Sequence, residues 1–290
     1  MILSMLSLNE NANCAIFNQS PIKITKIECK NALVKSGIEG MDYALNPYTG
    51  CQHGCVYCYA EFMKKYTNHS EPWGEFVDVK INIVDRLRQQ IKRIKLGTIM
   101  ISTVTDAYQP VEEKYQLTRQ CLEVLANTNF LVVIQTKSDL VLRDIDVLRK
   151  IKDKEVGFTI TCPDPKVEKL FEPFAVDVER RFEALTKLKE NNIPTFVFFG
   201  PILPYYSDSL ETLKLFFERL QKIGVKYVLL DKMNYLKGKM KKISPIIKDF
   251  PYATMFYEDV LDRADIYPEW LKSQLALALS KFSLKSEVLF

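Results

Sequence analysis

The sequence predicts an α/β protein built on a parallel sheet. From about residue 41, short β-branched runs alternate with longer segments of helical period, which is the signature of repeated βα units. Polar residues gather where each of those runs ends. A turn-rich loop carrying three cysteines, Cys51, Cys55 and Cys58, follows the first of them. The chain has 290 residues, enough for one large domain or two small ones.

Taken in order, residues 1–40 are polar and irregular except for the alternating stretch Ile22–Ile27, which reads as a short strand. The apolar opening Met1–Leu6 is short and lacks a basic start, so it is not expected to be a signal peptide. Strands are expected near Tyr43–Asn46 and over Thr98–Thr103, Phe130–Thr136, Glu155–Thr161, Thr195–Phe199 and Lys226–Leu230, windows rich in Val, Ile, Thr and Phe. Helical spacing covers Tyr59–Tyr66, Val84–Lys95, Val111–Ala126, Asp144–Lys150, Val178–Asn191 and Leu210–Ile223. Asn191-Asn192 and Gly224 mark helix ends, and Pro194 opens a strand. Six strands with helices between them fit either a doubly wound sheet or a partial barrel. Residues 236–290 leave the pattern, with a lysine-rich piece at Lys237–Lys242 and an amphipathic helix near Pro268–Leu284. The expected organisation is an extension over 1–40, a core domain over 41–235 and a second extension over 236–290.

Composition narrows the class. A net charge of +4 is too mild to imply a nucleic-acid partner by itself. Seven cysteines, an odd number at irregular spacing, argue against a secreted disulfide framework and for a reducing cytoplasmic setting. No run approaches the ~20 apolar residues of a membrane span, so no membrane partner is expected.

The cysteines form a C-x3-C-x2-C run within Asn46–Ala60. Soft thiolates select iron–sulfur clusters or zinc. Three thiolates leave one iron of a cubane cluster without a protein ligand, and that iron is where chemistry can happen. The rival is a structural zinc site with His53 or His69 as fourth ligand, in a non-catalytic nucleic-acid-binding module. Ligands of parallel α/β folds sit at the carboxyl ends of strands. There the chain places Ser102–Pro110 with Thr105 and Asp106, Thr136–Asp139 with Lys137 and then Arg143, Thr161–Asp164 with Cys162, and Gly200–Pro204. Hydroxyls, a lysine and carboxylates suit a ligand with an amine, a carboxylate, a ribose and an adenine. Plainer readings stand beside these: Asp106 as a helix cap, Lys137 and Arg143 as surface charges, Cys121 as core, Cys14 and Cys29 as incidental, and Lys237–Lys242 as solvated surface or a phosphate contact. Tyr205-Tyr206 could stack on a ring or close the barrel mouth.

These blocks resemble the radical S-adenosylmethionine superfamily and, within it, the branch related to spore photoproduct lyase. The matching blocks are Asn46–Ala60, Ser102–Glu112, Thr136–Asp139 with Arg143–Asp146, Glu172-Pro173 with Glu179–Arg181, and Gly200–Pro204. The resemblance implies a partial (β/α)6 barrel of the TIM type around a 4Fe-4S cluster. Cys51, Cys55 and Cys58 would bind three irons, and the amine and carboxylate of S-adenosylmethionine would chelate the fourth. It further implies Tyr57 on the adenine side, Thr105 and Asp106 by the methionine amine, Lys137 on its carboxylate, with Arg143 also a candidate for the cofactor, Thr161 or Thr159 at the ribose, and Gly200 beneath the adenine. Tyr59 would line the substrate side. A flavodoxin or ferredoxin would supply the electron; the substrate would be nucleic acid or, alternatively, a peptide or small molecule. One position departs from the branch. Spore photoproduct lyase has a hydrogen-donating cysteine three residues before the strand-end Asp, where this chain has Thr103; Cys162 is the candidate replacement.

Overall fold

The structure, a computed structural model, describes residues 21–290; the apolar start Met1–Leu6 and Cys14 lie outside the described residues. Six strands run parallel and neighbour one another in chain order: Tyr43–Leu45, Thr98–Ile101, Leu131–Thr136, Asp153–Ile160, Thr195–Ile202 and Tyr227–Lys232. An order without reversal separates the two sheet architectures left open by the sequence, because a doubly wound sheet reverses at a switch point. The strand Leu33–Lys35 pairs antiparallel at one edge and Ser286–Val288 pairs parallel at the other. No ladder among the described residues joins these edges, so the sheet is a partial, open barrel.

The strands are buried on both faces, as parallel strands covered by helices are. Ile134, Val156, Phe158, Ile160, Val197, Phe199 and Val228 are all fully buried. Each such side chain contributes roughly 1.5–3 kcal/mol of burial. Helices Val178–Glu190 and Leu210–Ile223 cover the outside with residues at helical spacing, Phe182, Leu185 and Leu188 from the first and Leu213, Phe216, Phe217 and Leu220 from the second. The Phe199 ring lies 4.3 Å from that of Phe216. Gly224 ends the second helix at φ 76, a left-handed turn that glycine adopts without strain.

A small sheet of Lys23–Ile27, Phe76–Lys80 and Tyr48–Thr49 sits beside the barrel and leads directly into the cysteine loop. The segment read as one helix over Val111–Ala126 is two, Val111–Tyr115 and Leu117–Leu125, separated by Gln116 at φ 51. The buried Glu112 carboxylate causes the break: it accepts from the backbone N–H groups of Thr118 and Arg119, capping the second helix. Helices Pro165–Phe171, Leu236–Ile247 and Pro251–Asp262 were not legible in the pattern; Asp164, expected on the rim, caps the first of them through Lys166 and Val167. The expected terminal helix spans Tyr267–Leu279. Among the described residues no helix is long and apolar enough to cross a membrane.

Candidate active site

The C-terminal ends of the strands converge on one cavity of about 320 Å³. Cys51, Cys55 and Cys58 line it from the loop after Tyr48–Thr49. That loop is tightly made. Gly50 sits at φ 87, and a Cβ there would fall 2.3 Å from the Phe76 carbonyl oxygen, so only glycine fits. The Cys58 N–H donates to the Cys55 carbonyl at 3.1 Å, and the Val56 N–H to that of Phe171 at 3.0 Å. Gln109 accepts from the Gln52 N–H, and Thr105 donates to the Gly50 carbonyl at 2.5 Å. Burial pushes the Cys51 thiol well up and that of Cys55 up to about 12, so a metal that takes these ligands displaces protons.

Asp106 ties two strand ends together. Its carboxylate accepts from Thr136 Oγ1 at 2.7 Å and from the N–H groups of Lys137 and Tyr108 at 2.8 Å. His53 Nδ1 lies 3.5 Å away, and burial lowers its imidazole pKa against the pull of Asp106. Lys137 lines the same cavity with its ammonium 5.7 Å from the centre of the Tyr57 ring. Burial works against its charge, but Cys55, Glu172 and Asp106 hold its pKa above the ordinary value.

Of the residues expected at the site, the cavity brings together the three cysteines, Tyr57, Tyr59, Thr105, Asp106, Lys137, Thr159 and Gly200. Three others lie elsewhere. Arg143 turns back onto Glu112 and Asp144, each at 2.8 Å, because those fully buried carboxylates need a counter-charge. Thr161 lies just past the end of its strand and donates to Glu172 Oε1 at 3.0 Å. Cys162 is fully buried, 3.9 Å from the Tyr206 carbonyl oxygen, and burial pushes its thiol up. Tyr205 and Tyr206 do not line the cavity; Tyr205 packs on Phe256 of helix Pro251–Asp262.

Sequence reasoning also missed residues. Asp231 and Lys232, the last two residues of the sixth strand, and Asn234 just beyond it border the cavity; the strand-end rule applied one strand further finds the first two. Trp73 borders it from a loop with no sequence signal at all. Behind the cavity, Arg181 pairs with Glu168 and Glu172, all fully buried, and Tyr57 donates its hydroxyl to Glu172. His69, one of the two possible fourth zinc ligands, has both ring nitrogens committed, to Asp78 at 2.8 Å and Glu71 at 3.1 Å. The donor set that faces the cavity, three thiols beside a half-buried lysine and an indole N–H without a hydrogen-bond partner, fits an iron–sulfur cluster with one iron left to an exogenous ligand.

The comparisons agree with this geometry. The family model of the radical SAM superfamily matches residues 45–230. An uncharacterised protein of Methanocaldococcus jannaschii is 43% identical over 185 residues, 64% of this chain and 70% of that one. Another, from Acidianus two-tailed virus, is 29% identical over 239 residues, 78% of each. A variant of spore photoproduct lyase superposes with a TM-score of 0.68 at 16% identity, over 91% of this chain and 81% of that one. A further structure of that lyase carries bound AdoMet and dinucleoside spore photoproduct. The partial barrel, the thiol-lined cavity at its strand ends and a family match across the barrel together make this chain an enzyme of the radical SAM superfamily.

Proposed function

We propose that the protein binds a 4Fe-4S cluster on Cys51, Cys55 and Cys58 and reductively cleaves S-adenosylmethionine, with residues 41–235 as the catalytic core. A cluster held by those three thiolates would supply one-electron reduction of the sulfonium, the chemistry that yields a 5′-deoxyadenosyl radical able to take a hydrogen atom from a substrate. The electron comes from a low-potential flavodoxin or ferredoxin. The observation that carries this reading is the opening of the three thiols onto the cavity at the C-terminal strand ends.

The chain's own groups divide the work. Lys137, charged and half-buried at the cavity wall, pairs with the methionine carboxylate. Asp106 faces the amine, while Thr105 holds the cluster loop by its bond to Gly50. Thr159 takes the ribose role in place of Thr161, since it lines the cavity and Thr161 does not. Gly200 serves the adenine side; a Cβ there would meet the Phe198 ring at 2.4 Å. Enclosure by Tyr57, Trp73 and Phe198 keeps water from the radical.

The substrate reading is nucleic acid. Its support is the short 3₁₀ helix Tyr59–Tyr66, which begins at the cavity with Tyr59 and exposes Tyr59, Phe62 and Tyr66. The Lys65 ammonium lies 5.8 Å from the Phe62 ring centre and 5.0 Å from that of Tyr66. Exposed rings with interleaved cations stack bases and meet phosphates. Repair of spore photoproduct itself fits less well. Thr103 replaces the hydrogen-donating thiol and receives a bond from Asn46 at 2.8 Å. Among the described residues the cavity holds no thiol besides the three cluster cysteines.

Anaerobically purified protein should be brown, with iron and sulfide each near ~4 per chain. With dithionite and S-adenosylmethionine it should release 5′-deoxyadenosine, and Cys55→Ala should abolish that release. Brown protein that yields none with any reductant refutes the radical reading. Deuterium carried from labelled oligonucleotides into 5′-deoxyadenosine tests the substrate class; transfer from peptides alone would replace nucleic acid.

A further inference from the structure

Two side chains outside the cysteine run converge on Cys58. The first is Trp73, from the loop before Phe76–Lys80. It is 6% exposed, borders the cavity, and packs with Cys51, Ala60 and Phe76, with Cys58 against them. Its ring meets Phe76 edge-on at 5.8 Å, which fixes the indole. The indole Nε1–H is buried and satisfies no hydrogen bond. A buried donor left so is costly, and each such group calls for an explanation. The nearest explanation is the Cys58 sulfur.

The second is Lys239, on helix Leu236–Ile247, far from Cys58 in sequence. Its side chain is only 14% exposed, and its ammonium donates to the Cys58 carbonyl at 2.6 Å. Glu61 holds it from the other side at 3.2 Å and is shared with Lys242 at 2.7 Å. Two cations against one carboxylate leave net positive charge beside the cluster loop.

We infer that Trp73 and Lys239 are positioning residues for the cluster: the indole N–H donates to sulfur at the Cys58 corner, and the ammonium fixes the Cys58 backbone and adds positive charge. The inference rests on the cluster reading proposed above. Reduction adds one electron, and so one negative charge, to the metal–sulfur unit. Hydrogen bonds to sulfur and nearby cations stabilise that charge and raise the reduction potential. The effect eases electron entry from dithionite or a flavodoxin without touching the S-adenosylmethionine subsite.

The test is a potentiometric titration of anaerobic protein, followed by the paramagnetic signal of the reduced cluster. Trp73→Phe keeps the ring and removes the donor. It should retain full iron and sulfide while its reduced-to-oxidised ratio at fixed poise falls three- to tenfold, tenfold being about 59 mV for a one-electron couple. Lys239→Met should move the ratio the same way. An unchanged potential in both variants at full iron overturns the inference. A measurement on the unsubstituted protein guards against variants that fail to fold. The chain has two tryptophans, and Trp270 does not border the cavity. With 15N-indole labelling, the reduced cluster should show a nitrogen coupling from tryptophan, and its absence overturns the Trp73 assignment. Failure of the cluster reading itself looks different, as wild-type protein without iron.

Discussion

The cavity rim and the polar layer behind it use the same residue types, yet their partners differ. On the rim, Lys137 and Thr159 line the cavity, and no carboxylate accepts from either side chain among the described residues. In the layer behind, Arg181 is saturated by Glu168 and Glu172, and Arg143 by Glu112 and Asp144. Lys137 and Arg143 even follow the same strand, Leu131–Thr136. The difference teaches that a charged residue near a strand end is not thereby a ligand-binding residue. What decides is whether a buried carboxylate reaches it first, since a buried charge must be paired.

Four perturbations break or sharpen that contrast. The largest should be Arg181→Met. It leaves Glu168 and Glu172 facing each other in the interior, and losing one partner of a buried ion pair costs roughly 3–5 kcal/mol. Urea unfolding should show this; a loss under ~1 kcal/mol would mean that water or rearrangement satisfies the layer.

Next is a pH effect at another buried carboxylate, Asp208, away from the rim. Burial pushes the Asp208 carboxyl up to about 6, against the hydrogen bond from Tyr267. Its folded pKa thus lies above its ordinary value of 3.8, so the folded state holds this proton more tightly. The contribution to stability is full below about pH 4, falls as pH rises to about 6, and amounts to roughly 3 kcal/mol. Asp208→Asn should flatten that slope in thermal unfolding measured across the window. An identical slope in the variant would assign it to other groups.

Thr161→Val tests the boundary between rim and layer. It removes a hydrogen bond to a buried carboxylate, worth roughly 1.5–3 kcal/mol, and should leave S-adenosylmethionine affinity unchanged by calorimetry. Weakened affinity would return Thr161 to the cofactor. Lys137→Ala is the converse and the smallest in energy. It should weaken cofactor binding about tenfold, or ~1.4 kcal/mol, with iron content intact. Loss of iron instead would make Lys137 part of the supporting layer.

Much of the site could be read without coordinates, for reasons that are local. The strand windows, the helix stops at Asn191-Asn192 and Gly224, and the strand-end position of Asp106 and Lys137 depend on near neighbours in the chain. The missed features depend on what is buried and on where an element stops. Glu112 splits a helix by capping it, and no periodicity announces a buried cap. Thr159 and Thr161 share a face only while a strand continues, and this one ends at Ile160.

The amino-acid order alone determined the βα alternation, the placement of three thiols in one tight loop, and the gathering of polar groups at the strand ends. Short-range backbone preference and residue chemistry suffice for those. Tertiary structure alone decided that the strands neighbour one another without reversal, that Arg143, Thr161 and Cys162 face away from the cavity, and that Trp73 and Lys239 meet at Cys58. Those outcomes turn on which buried charge finds its partner and which surfaces pack, contacts between residues far apart in the chain that leave no periodic trace in it.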